Sequence, residues 1–195
     1  MPMPPSRHII SLRARSSTRS CGVGNRSARG AIITTEKSPP LRGGCRYGAV
    51  RYEPTVLPGP ARLCHYRMCE KPVGGPFCAL AAVRLEHFTW TREAPASFFG
   101  SSLGQREFCA ACGTPLAFRY DHSKWIGATI GGRCRPKEVA PTNHFGVEIC
   151  IGWVDSLGAL PVTTTDADLS PDRRQKFVNY QHPDHDAPAQ WPGPQ

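Results

Sequence analysis

From Leu41 to Pro161 the apolar residues fall in short, partly alternating stretches broken by glycine and proline. Alternation with a period of two marks half-buried strands, and long helical periodicity is absent here. The pattern predicts strands over Ala49–Pro54, Arg62–Tyr66, Phe77–Val83, Ala96–Gly100, Arg106–Phe108, Leu116–Tyr120, Ile126–Ile130 and His144–Cys150. Turns are expected at Pro58-Gly59-Pro60, Gly74-Gly75-Pro76 and Gly131-Gly132. One short helix is expected near the C-terminus. Ser170 can cap it, Pro171 suits its first turn and Asp172 complements the positive end of its dipole. Phe177, Val178 and Tyr180 offer it a modest apolar stripe before His182-Pro183 stops it. The fold class expected is mainly β.

A chain of 195 residues suffices for one domain with a sizeable core and a tail. The longest apolar stretch, Phe77 to Val83, is far below the roughly 18 residues needed to cross a bilayer, so a soluble protein without a membrane partner is expected. The net charge of +9 suggests nucleic acid until its distribution is considered. Residues 1–42 hold eight arginines and lysines against Glu36 alone, which leaves +2 for the rest by subtraction. Basic character therefore belongs to the tail, which argues against nucleic acid as the partner. Residues 1–38, rich in Arg, Ser, Pro and Gly, read as a disordered basic tail whose composition also resembles a transit peptide. Residues 39–161 form the expected domain, and 162–195 a C-terminal extension carrying the helix.

Nine cysteines make an odd count, and four of them form the short pairs Cys64…Cys69 and Cys109…Cys112. Metal-holding thiols in a reducing compartment fit this better than a secreted disulfide framework, so a cytoplasmic location is expected. Zinc, a borderline-soft ion, favours thiolates. The Cys109/Cys112 knuckle supplies two ligands from one turn, Gly113 after it can take a positive φ, and Cys45 is the obvious third contributor. Cys64 and Cys69 span a strand end and a short turn and would make a second, less complete site. His65, next to Cys64 in a strand, should face the other way, and Cys78 reads as a small buried residue.

Several ordered motifs carry a resemblance: Gly43-Gly44-Cys45-Arg46-Tyr47-Gly48, Cys64-His65-Tyr66-Arg67-Met68-Cys69, Gly74-Gly75-Pro76-Phe77, Ser101-Ser102 and Phe108-Cys109-Ala110-Ala111-Cys112-Gly113. Thr142-Asn143-His144, Trp153 and Leu160-Pro161 extend it. Over about residues 39–161 the chain resembles the glutathione-dependent formaldehyde-activating enzyme family, which also includes centromere protein V. The resemblance implies a compact zinc-binding fold of small folded-over sheets, the β-tent type. It implies Cys45, Cys109 and Cys112 as ligands of a structural zinc, and Cys64 and Cys69 as catalytic residues and ligands of an active-site zinc. The implied activity is that of a carbon–sulfur lyase, with glutathione and an aldehyde, formaldehyde, as small-molecule partners.

Tyr47 and Tyr66 stand where the family pattern has cysteines. A phenol, with a pKa of about 10 against roughly 8.5 for a thiol, is the poorer ligand at neutral pH. One zinc is expected at the first site, with water, Tyr47 or a nearby side chain as fourth ligand, the alternative being a metal-free cluster. The second zinc is put in doubt. The alternative function is a non-catalytic zinc-bearing binding or scaffold module with a degenerate active site. Among the other residues, His144 suits either substrate orientation or a structural role, Trp153 a core or lid position, and Cys134 a free surface thiol.

Overall fold

A computed structural model of the chain describes residues 41–184. The expectations for the basic tail and for the closing segment beyond Asp184 lie outside the described residues.

The architecture is mainly β. A three-stranded sheet runs in the order β1 (Gly43–Gly44), β2 (Arg51–Pro54), β5 (Phe88–Trp90). A seven-stranded sheet contains β3 (Ala61–Cys64), β4 (Cys78–Arg84), β6 (Ala96–Ser101), β7 (Gly104–Phe108), β8 (Pro115–Tyr120), β9 (Trp125–Thr129) and β10 (Asn143–Phe145). Its spatial order is β10-β3-β4-β9-β8-β7-β6. Every pairing is antiparallel except β10 against β3, which is parallel.

Period-two alternation decides what each strand offers. In β4, Cys78 and Leu80 join one buried cluster with Cys64 and Cys69, whereas Ala81 on the opposite face packs with Leu41, Ala61, Ile130 and Val139. A further cluster, Cys45, Val50, Tyr52, Cys109, Leu116 and Ala128, joins the small sheet to the large one. Tyr52 stacks on Phe88 with ring centroids 5.0 Å apart and meets Trp90 edge-on at 5.7 Å.

Three local expectations are corrected. The strand expected over His144–Cys150 ends at Phe145, because Gly146 takes a positive φ of 75° and Val147–Ile149 coils into a 3-10 turn. The turn expected between Cys64 and Cys69 is instead a helix, α1 (Arg67–Val73), ended by Gly74 in the left-handed conformation. The short C-terminal helix is present as expected, but it ends before its apolar stripe. Thr164 caps a single turn, α2 (Thr165–Asp168), and Ser170 caps α3 (Pro171–Lys176), accepting from the Arg173 N–H. α3 stops before Phe177, Val178 and Tyr180, which stay exposed for want of a surface to cover them. Among the described residues, no helix is long and apolar enough to cross a membrane.

The core assignment is testable by truncation. Leu116, 0% exposed, should cost about 2–5 kcal/mol when replaced by alanine, through lost transfer energy and the cavity left behind. Val162→Ala, at a residue 96% exposed, should stay within about 0.5 kcal/mol. Urea titrations of both variants check the contrast.

Candidate metal centre and thiol cleft

Two turns bring the first cysteine group together. Cys45 follows β1 in a turn closed by the Gly48 N–H on the Cys45 carbonyl at 3.0 Å. Cys109 and Cys112 lie between β7 and β8, where the Cys109 N–H donates to the Thr114 carbonyl at 3.0 Å and the Gly113 N–H to the Cys109 carbonyl at 2.8 Å. Gly113 sits at φ 73°, a conformation only glycine takes without strain. The three sulfurs lie within 4.8 Å of one another, and no other such group of three His, Cys, Asp or Glu ligands exists among the described residues.

The surroundings prepare these sulfurs for a cation. The Val50 N–H donates to Cys45 Sγ at 3.4 Å, and Thr114 Oγ1 lies 3.1 Å from Cys112 Sγ. Burial pushes the Cys109 thiol up and opposes ionisation of Cys112 too, but hydrogen bonds from Thr114 and the Tyr47 backbone outweigh burial at Cys112 and bring it down. Three soft sulfurs in one pocket fit zinc, and Tyr47 packs beside them.

The second group has two thiols. Cys64 ends β3 and Cys69 lies in α1, with their sulfurs 2.7 Å apart and both buried. Arg106, on β7, donates from Nη2 to Cys69 Sγ at 3.3 Å while its guanidinium lies 4.9 Å from the Phe118 ring centroid. The Cys64 hydrogen bond and then Arg106 hold the Cys69 thiol below its usual range against the effect of burial, and the same bond pushes Cys64 up. Cys78 faces Cys64 across β4, where burial raises it to about 11.

Tyr66 does not supply the missing sulfur's function. It begins α1, its ring meets Phe145 edge-on at 5.3 Å, and a Cβ on Gly146 would come within 2.7 Å of that ring. The negative charge of Glu148 is the largest cause raising the phenol's pKa. A phenol kept protonated is a poor metal ligand. Zinc fits the Cys45/Cys109/Cys112 group, whereas Cys64 and Cys69 alone do not close a cage.

Both thiols of the pair open onto a cleft of ≈ 600 Å³ with apolar walls that include Phe118, Trp125 and Phe145. Arg62, Arg106 and Arg119 also line it, and the sequence reading had singled out none of them. Their signal was positional: Arg62 precedes Cys64 by two residues in β3, and Arg106 pairs with Phe118 across β7 and β8. Arg67 instead pairs with Glu70 at 3.0 Å, and Arg51 is buried.

Other expectations resolve individually. His65 is 0% exposed and shares a 2.9 Å hydrogen bond, Nε2 to Nδ1, with His144, whose ring stacks on it. Burial lowers the His65 pKa and keeps it neutral. Cys134 is a free thiol as expected, but half-buried rather than on the surface, and accepts from Arg51 Nη2 at 3.1 Å. Trp153 is not a core residue, being 52% exposed just before the 3-10 segment Val154–Ala159.

No curated protein matches the chain. A crystal structure of a Rhodobacter sphaeroides protein resembles it at 23% identity and a TM-score of 0.44, over 53% of this chain and 99% of that one. The glutathione-dependent formaldehyde-activating enzyme family matches residues 40–148. That span is more than half of the chain and takes in all five cysteines of the two groups. The chain therefore belongs to the glutathione-dependent formaldehyde-activating enzyme family.

Proposed function

We propose that the chain performs carbon–sulfur chemistry on glutathione and formaldehyde, condensing them to S-hydroxymethylglutathione or cleaving that adduct, as a carbon–sulfur lyase. The observation that carries this reading is the cleft, which joins a thiol pair to three arginines. Glutathione bears a thiol and two carboxylates, and guanidinium groups pair with carboxylates in bidentate geometry. Cys64 and Cys69 are assigned to receive the substrate sulfur, beside the Arg106 cation that stabilises negative charge there. Arg62 and Arg119, further along the cleft, are assigned to the carboxylates. The apolar walls exclude water from the carbonyl carbon under attack.

Zinc bound at Cys45, Cys109 and Cys112 would supply structural cross-linking rather than a reacting site. No step is routed through a metal at Cys64 and Cys69. The second reading, a non-catalytic zinc-bearing module, is favoured by one specific feature: Tyr66 stands at the third-thiolate position of the family pattern, with its ring packed on Phe145.

Elemental analysis and turnover separate the two. The purified parent should carry about one zinc per chain and lose it on acidification, since zinc needs deprotonated thiols. Cys112→Ser should lose that zinc at neutral pH; unchanged zinc content would overturn the assignment of the triad. Glutathione thiol should disappear faster in the presence of formaldehyde and protein than without protein, and Tyr66→Cys should bring zinc to about two per chain and raise the rate. If the parent does not exceed the uncatalysed rate, the lyase reading is lost and the module reading stands, whatever Tyr66→Cys does.

A further inference from the structure

The sulfur pair in the cleft has a capacity that carbon–sulfur chemistry does not use. Cys64 Sγ and Cys69 Sγ lie 2.7 Å apart, near enough to bond after a small side-chain movement. No third thiolate holds them in a cage, because Tyr66 stands where the family pattern has a cysteine, its ring packed on Phe145. Both residues line the cleft, so an occupant of it lies against the pair. Arg106 marks one of the two: its Nη2 lies 3.3 Å from Cys69 Sγ, while its buried Nε has no hydrogen-bond partner in the structure. A buried guanidinium with an unused donor is suited to an anion arriving at that sulfur.

We propose that Cys64 and Cys69 form a dithiol–disulfide exchange centre, oxidised by small carboxylate-bearing disulfides of the glutathione disulfide class. The Cys69 thiolate attacks one sulfur of the incoming disulfide, whose S–S bond breaks. One thiolate departs, takes a proton from solvent and leaves a mixed disulfide on Cys69. Cys64 then gives up its proton and attacks the Cys69 sulfur, expelling the second small thiol as the Cys64–Cys69 bond forms. Two protein thiols are oxidised and one small disulfide is reduced to two thiols, so electrons and protons balance. The choice of glutathione-type disulfides rests on the reading of the cleft above, since Arg62 and Arg119 would recognise the carboxylates. The sulfur pairing itself does not depend on it.

The test uses the full chain, reduced, freed of reductant and incubated with glutathione disulfide. After thiol blocking, peptide mass mapping should find Cys64 linked to Cys69 with the loss of two hydrogens. Bis(2-hydroxyethyl) disulfide, which lacks carboxylates, should react at least about tenfold more slowly. Cys64→Ser should stop at a glutathione adduct on Cys69, and Arg106→Gln should slow adduct formation by roughly tenfold or more. A pair that stays reduced in excess glutathione disulfide overturns the proposal, as does a link from Cys64 to Cys78. Equal rates with the two disulfides overturn it too. The parent cross-link and the comparison of disulfides need no variant to fold. Turnover with formaldehyde but no cross-link would remove this inference alone, and a cross-link without turnover would remove only the lyase reading.

Discussion

Three sulfurs from distant turns converge where the small sheet meets the large one, and the rest of the fold is arranged around that convergence. Cys45 leaves β1, Cys109 and Cys112 lie between β7 and β8, and Val50, Tyr52, Leu116 and Ala128 close around them. The small sheet has strands of two, four and three residues, little surface with which to hold itself on the large one. A structural zinc contributes about 10–16 kcal/mol in small zinc peptides, against a net stability of roughly 5–15 kcal/mol for a typical domain. A metal at this junction would be comparable to the whole margin of the fold.

The two tyrosines that interrupt the cysteine pattern meet different fates. Tyr47 lies half-buried against the triad's own core cluster, so the residue that departs from the pattern remains beside the sulfurs. Tyr66 became a packing residue: it precedes α1, rests on Phe145 and fills the space that Gly146 leaves. One tyrosine borders the sulfur triad; the other packs against the cluster that holds the thiol pair.

Much of the sheet was legible because a half-buried strand writes its period directly into the chain, as Cys78 to Arg84 does. The expected strand over His144–Cys150 overran because the stop is conformational, a positive φ at Gly146, and not a break in apolar character. α1 was missed for a related reason: seven residues with Pro72 inside them complete barely two turns, too few to establish a helical period. The triad could be read from a C-x-x-C knuckle and one more cysteine. The cleft's arginines could not, because Arg62, Arg106 and Arg119 come from β3, β7 and β8 and become neighbours only once the sheet order is known. His65 lay in plain sight, yet its partner His144 reaches it only through the single parallel pairing.

That pairing sets an order of assembly. β10 docks on β3 through contacts such as the His65 N–H on the Phe145 carbonyl, and the segment after it brings Gly146 and Glu148 against Tyr66. Every cysteine of the triad precedes this segment in the chain, so a nascent protein holds a full set of sulfur ligands before it has the wall that finishes its cleft. Parallel, long-range pairing is slow to form, since loop closure must come before its contacts are gained. All three sulfurs of the triad are therefore synthesised before the last wall of the thiol pair.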